Sequence, residues 1–183
     1  MYEQDREELI NLIINNTPKD CVFISKVPSL ELYVTQKEEN LEYMVYEPAL
    51  CIILQGRKEI NFSNEHYEYN PNKYLLVPTH ISTQVQIKEA SYDKPYVAFQ
   101  IKFDISEIYD VLKMINAIES KKTTSQKGLF IDDMNERLYD AIFRYVRLLN
   151  ENDESIEFLS VMIKKEILFI LISSNAREFL CQF

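Results

Sequence analysis

The chain of 183 residues predicts an α+β fold: a small antiparallel β-barrel or sandwich entered by one helix and followed by a helical subdomain. Three observations carry this. Between Tyr46 and Asp104, runs rich in Val, Ile, Tyr and Phe recur about every 8–12 residues, separated by Asn, Pro, Ser and Asp. After Phe103 the apolar period lengthens from two to about 3.6 residues. Before Val22, Leu9, Ile10, Ile13 and Ile14 form a helical stripe with acids in the first turns.

The elements follow in order. Residues 3–16 read as a helix that Asn15, Asn16, Thr17 and Pro18 stop. Strand patterns cover Val22–Ser25 and Leu30–Thr35, and 37–42 reads as a solvated turn. Tyr43–Glu47 is a strand that Pro48 interrupts. Leu50–Leu54 is apolar throughout, as in a strand buried on both faces. Lys58–Phe62 and Glu65–Tyr69 form a hairpin about Ser63-Asn64, where Asn tolerates the left-handed conformation. Tyr74–Val77 and Gln84–Lys88 are further strands. In Tyr96–Phe103, alternation puts Val97, Phe99, Ile101 and Phe103 on one face.

Asp104 with Glu107 has the spacing of a capping box and opens a helix to about Ser120. Residues 121–128 are polar. Asp133 with Glu136 predicts a second box, before a helix marked by Met134, Leu138, Ile142, Tyr145 and Leu149. Ser155 caps a third helix over 156–172, with Leu159, Ile163, Ile167, Ile170 and Leu171 on a wide stripe. These signals divide the chain into a barrel with its helix (1–104), a helical linker or dimerisation part (105–175) and a connecting start (176–183). From Ala176 a further helical pattern begins, with Phe179, Leu180 and Phe183 apolar and no Gly, Pro or basic turn to stop it. That pattern predicts a continuation past Phe183.

Composition narrows the function. Twenty basic residues stand against 29 acidic ones, a net charge of −9. Reading nucleic acid requires a dense basic surface, so DNA is not expected to bind these residues directly. No apolar run is long enough to span a membrane, and the acidic start is no signal peptide. Cys21, Cys51 and Cys181 are unpaired by spacing, which predicts free thiols in a reducing cytoplasm.

Signals for catalysis are weak. Two glycines make no phosphate-binding loop, and nucleophile-elbow motifs are absent. His66, Glu68 and His80 have the composition of an iron-binding facial triad. The favoured reading puts His66 and Glu68 on an exposed hairpin and His80 in a loop after Pro78, so neither metal nor cofactor is expected. Tyrosine rings with polar tips suit the wall of a ligand pocket instead. The candidate effector-binding set is Tyr46, Gln55, Tyr69, Tyr74, His80 and Gln100. For pairing with a second subunit the candidates are Leu138, Ile142, Tyr145, Leu149, Ile163 and Ile167 on the later helices.

Ordered motifs add a resemblance. Pro48, Leu50, Gln55, Gly56 and Lys58, then Tyr69, Pro71, Tyr74 and Leu75, then Ala90, Ser91, Pro95 and Tyr96 resemble the N-terminal domain of AraC-type transcription regulators. The resemblance runs from about Val22 to Phe183. It implies a cupin-like barrel sensing a small-molecule effector of unknown identity, helices that link or form a homodimer, and DNA contact only through a further C-terminal domain with helix-turn-helix motifs. Metal-binding cupins place ligands at offsets that here fall on Phe62, Asn64, Glu68 and Thr83, of which only Glu68 matches. The rival readings are a stand-alone cupin-like enzyme, an isomerase or oxygenase, and a ligand-free dimerisation module.

Overall fold

The computed structural model describes residues 3–115 and 128–181. Helix α1 (Glu3–Asn16) occupies the span its apolar stripe predicts, with Leu9 and Ile13 fully buried. Ten strands follow among the described residues, in two antiparallel sheets. One sheet is built from β1 (Val22–Ile24), β2 (Leu30–Thr35), β4 (Ala49–Gln55), β7 (Lys73–Val77), β9 (Tyr96–Lys102) and β10 (Phe130–Asp133), in the order β1-β2-β9-β4-β7-β10. The other holds β3 (Glu42–Tyr46), β5 (Arg57–Phe62), β6 (Glu65–Tyr69) and β8 (Ile81–Lys88), in the order β3-β8-β5-β6. Face to face they make the cupin-like barrel.

The central strands of the larger sheet, β4, β7 and β9, are buried on both faces, and alternation sorts their side chains. Leu50, Ile52 and Leu54 of β4, with Tyr74, Leu76, Val97, Phe99 and Ile101, join a core shared with the helices. Ala49, Cys51 and Ile53, with Leu75, Val77, Tyr96 and Ala98, face the smaller sheet and pack with Ile60, Val85 and Ile87. Successive residues of a strand point to opposite faces, so one apolar run feeds two cores.

Two local devices set the barrel's shape. Ser63 and Asn64 both have positive φ, 49° and 63°, the two-residue turn expected between β5 and β6. At Gly56 φ is +89°, and a Cβ there would lie 2.8 Å from Tyr96 Cδ2. The register between β4 and β9 shifts at Ile53/Gln55 beside it. Glycine is required at this position on both counts.

The helices are α2 (Ile105–Met114), α3 (Glu136–Arg147), α4 (Asp153–Ile172) and the short α5 (Arg177–Leu180). The Asp104 N–H donates to Glu107 Oε2 at 2.8 Å, the reciprocal contact that spacing predicts. Two other caps differ from expectation. Asn135, not Asp133, caps α3, accepting from the Leu138 N–H at 2.9 Å. Asn152, not Ser155, caps α4, accepting from the Ser155 N–H at 2.8 Å. Asp133 instead ends β10, a strand the sequence reading missed, which pairs with β7 from Phe130↔Leu76 to Asp133↔Lys73. Four residues of mixed character carry no alternation long enough to read. The expected run of α2 to Ser120 and the polar segment up to residue 127 lie outside the described residues.

Candidate effector site

A cavity of about 660 Å³ lies between the sheets, a size that suits a small-molecule ligand. Its mouth is at the edge strands: Asp20, Val22, Glu42, Met44 and Val45 line it and are exposed. Its floor is buried and polar. Tyr46, Tyr69 and Tyr96 are 4%, 2% and 0% exposed, and Lys58 is 8% exposed. The strand register explains this. Lys58 pairs with Tyr69 on β6 and Ile87 on β8, two residues from the fully buried Ile60. It therefore takes the inward side of β5.

Lys58 Nζ is 3.5 Å from Tyr46 Oη and lies 5.7 Å and 5.9 Å from the Tyr46 and Tyr96 ring centroids. Among the described residues no carboxylate pairs with it. Burial lowers its pKa, with Cys51 and Glu39 acting the other way. Burial also pushes the Cys51 thiol up to about 12, so Cys51 stays protonated and leaves the lysine charge unmatched. The three tyrosine hydroxyls are held well above their ordinary pKa by the same desolvation and remain donors. Tyr96 Oη has no hydrogen-bond partner among the described residues.

The walls carry a second set of charges. Lys102 bridges Glu31, at 2.6 Å, and Glu47. Gln100 Nε2 donates to Glu31 Oε2 at 2.6 Å, and Tyr33 donates its hydroxyl to Glu39. Lys102 holds the Glu47 carboxyl below its usual range.

Four of the six residues expected from sequence meet here: Tyr46, Tyr69, His80 and Gln100 line the cavity. Gln55 and Tyr74 do not. Gln55 Nε2 donates to the Pro95 carbonyl at 2.8 Å. Tyr74 sits on the outward register of β7, its ring tilted at 44° to that of Phe130 in the helix-side core. Lys58 and Tyr96 were missed as site residues. The signal for Lys58 was its alternation with Ile60, which a long charged side chain masks. His66 bonds Asn61 on the exposed hairpin and Glu68 pairs with Arg57, so neither shares a site with His80. Among the described residues no group of three His, Cys, Asp or Glu side chains converges on a metal position.

The site is tied to the helices through the β1–β2 turn. Tyr145 Oη on α3 donates to the Pro28 carbonyl at 2.5 Å. Lys164 Nζ on α4 donates to Ser29 Oγ at 2.9 Å and Glu107 Oε2 at 2.8 Å. Lys26 Nζ donates to the Glu151 carbonyl at 2.7 Å.

The six residues expected at a subunit interface lie inside the chain's own core. Leu138, Ile142, Tyr145, Leu149, Ile163 and Ile167 are all at most 7% exposed. The apolar residues that α4 turns to solvent are Phe158, Leu159, Val161 and Met162.

The family described as AraC-type transcriptional regulator N-terminus matches residues 26–179. None of the curated proteins compared matches the chain. Among solved structures, unsaturated fatty acid-bound ToxT from Vibrio cholerae superposes with a TM-score of 0.52 at 9% identity, covering 91% of this chain and 58% of that one. ToxT from the same organism bound to (E)-4-(8-methylnaphthalen-1-yl)but-3-enoic acid gives a TM-score of 0.50 at 16% identity, covering 85% and 59%. The AraC-like transcriptional activator CuxR gives 0.48 at 9%, covering 81% and 53%. The chain thus spans less than two thirds of the length of these structures.

Proposed function

The chain belongs to the family of AraC-type transcriptional regulator N-termini, and from that premise we propose that it is the effector-sensing and dimerisation domain of a cytoplasmic transcription regulator. Membership of a family of transcriptional regulator N-termini supports a regulatory role over a catalytic one. One observation carries the sensing role: the cavity of about 660 Å³ has a buried polar floor and shares its β1–β2 wall with the turn bonded to α3 and α4.

The mechanism is a population shift. Val22 and Glu31, on β1 and β2, line the cavity. Pro28 and Ser29, in the turn between those strands, hold α3 and α4 by side-chain hydrogen bonds. An effector that binds one arrangement of β1–β2 better than another changes the packing of that turn and biases the helices. In this reading a homodimer forms through the exposed apolar face of α4, and DNA is contacted by a separate domain. A fatty acid is bound by the ToxT structure, which supports an organic small molecule as the effector class.

The test is a metabolite screen by thermal shift, followed by hydrogen exchange on each hit. The reading requires a compound that raises the melting temperature saturably and alters amide protection in residues 25–29 and α4. A broad screen with no saturable hit, or hits that leave the turn and α4 unchanged, counts against it.

A further inference from the structure

The cavity floor specifies the chemistry of its ligand more narrowly than the fold does. Lys58 is a buried cation with no ion-pair partner among the described residues, set on the floor of the open-mouthed cavity. An isolated buried charge is costly. Its neighbours soften that cost without matching it: two tyrosine rings near 6 Å and the Tyr46 hydroxyl at 3.5 Å. Tyr96 Oη, in a residue wholly removed from solvent, has no hydrogen-bond partner among the described residues. A buried polar atom without a partner is uncommon in a finished core. An ammonium without a counter-ion and a hydroxyl without a partner, on two residues that line one cavity, mark a place for an atom that accepts hydrogen bonds and carries negative charge.

The rest of the lining limits that charge. Asp20, Glu31, Glu39, Glu42 and Glu47 stand against Lys58 and Lys102. Lys102 is engaged by Glu31 and Glu47, so it offers little to a ligand. A dianion such as a phosphate ester would meet this acidic wall with twice the repulsion, and one free lysine would face it. Ile87 and Ala98 inside, and Met44 and Val45 at the mouth, supply apolar wall for a hydrocarbon body.

Building on the effector reading above, we infer that the cavity takes a monocarboxylate with an apolar body, its carboxylate inward on Lys58 Nζ and Tyr96 Oη and its body directed to the mouth between β1 and β3. The carboxylate replaces the missing counter-charge, and the tyrosine hydroxyl gains the acceptor it lacks. Discrimination against an uncharged analogue follows from the lysine, and discrimination against a phosphate follows from the five acids.

The experiment is calorimetric titration and thermal shift on the full chain with benzoate, phenylpropionate, hexanoate and decanoate. Each is compared with its primary amide and with the phosphate ester of the matching alcohol. At least one acid is expected to bind saturably, with its amide weaker by on the order of tenfold and its phosphate ester weaker still. Lys58→Met lowers acid affinity by about tenfold or more, and Tyr96→Phe, which keeps the ring, by several-fold. Equal binding of acid and amide, preference for a phosphate, or unchanged acid affinity in folded Lys58→Met overturns the inference. Amides that bind where no acid does would refute the carboxylate class and leave the effector reading standing. If no probe binds, the carboxylate class falls, and the sensing role is then decided separately by the broad metabolite screen.

Discussion

Lys164, in the middle of α4, donates to Ser29 at the tip of the β1–β2 turn across 2.9 Å. Ser29 has a positive φ of 63°, a conformation an L-residue holds only when its surroundings fix it. The same ammonium reaches Glu107 Oε2 at 2.8 Å, and Glu107 also receives the Asp104 N–H that starts α2. One side chain therefore joins a barrel turn, α2 and α4. Replacing it with alanine removes the cation beside Glu107 and frees the turn. Lys164→Ala is expected to lower unfolding stability by about 1–3 kcal/mol, measured by urea denaturation. Lys164→Met, which keeps the stem's packing, should cost less. Equal stability of wild type and the alanine variant would show that the three-way contact contributes nothing.

Gly56 carries a second prediction. Its positive φ and the 2.8 Å approach to Tyr96 Cδ2 mean that a methyl group must displace the ring on the cavity floor. Gly56→Ala is expected to cost roughly 1–3 kcal/mol and to perturb Tyr96. Thermal unfolding together with near-ultraviolet circular dichroism, which reports tyrosine packing, reads both effects. An unchanged melting temperature would show that the bulge relaxes freely.

Most of the fold is legible in the sequence because two-residue and 3.6-residue periods are local. The continuous run Leu50–Leu54 announces a doubly buried strand, and Ser63-Asn64 announces its turn. The site is less legible. Tyr74 and Tyr96 look alike as strand tyrosines, yet they face opposite sides of the larger sheet. Only the pairing of strands across the barrel decides which side holds the cavity. Lys58 resembles a solvated strand residue until its register beside Ile60 is known. The interface residues failed for a related reason. Helix α4 is apolar around most of its circumference, so its stripe does not say which face the monomer covers.

That circumference yields the next prediction. Ile156, Ile163, Ile167 and Leu171 of α4 are buried, while Phe158, Val161 and Met162 are 68%, 52% and 56% exposed. Three large apolar side chains on one outward helical face are unfavourable in a lone monomer. A second copy covering this face is the expected arrangement. Phe158→Glu combined with Met162→Glu should weaken the dimer by at least tenfold while leaving the fold intact, because neither side chain enters the core. Sedimentation equilibrium measures the first effect and far-ultraviolet circular dichroism the second. A dimer of unchanged affinity would place the interface elsewhere.

The last prediction concerns pH. Burial lowers the pKa of Lys58 in the folded chain, whereas the unfolded chain binds that proton with the ordinary lysine affinity, near about 10.4. Between those two values the unfolded state holds more protons, so stability rises with pH across that window. The tyrosines act in the opposite sense and later. Burial keeps Tyr46, Tyr69 and Tyr96 protonated, so their ionisation in the unfolded chain erodes stability only above about pH 10. Denaturation of wild type and Lys58→Met in parallel, from neutral to about pH 9 and short of the tyrosine range, isolates the lysine, because the buried Cys51 thiol, whose unfolded form ionises in this window, is common to both chains. Lys58→Met should be more stable than wild type at neutral pH, by on the order of 1 kcal/mol. The difference should shrink as pH rises and the wild-type ammonium loses its proton. A difference that is constant with pH would mean that Lys58 is charged throughout and that its cost is met by groups already in the cavity.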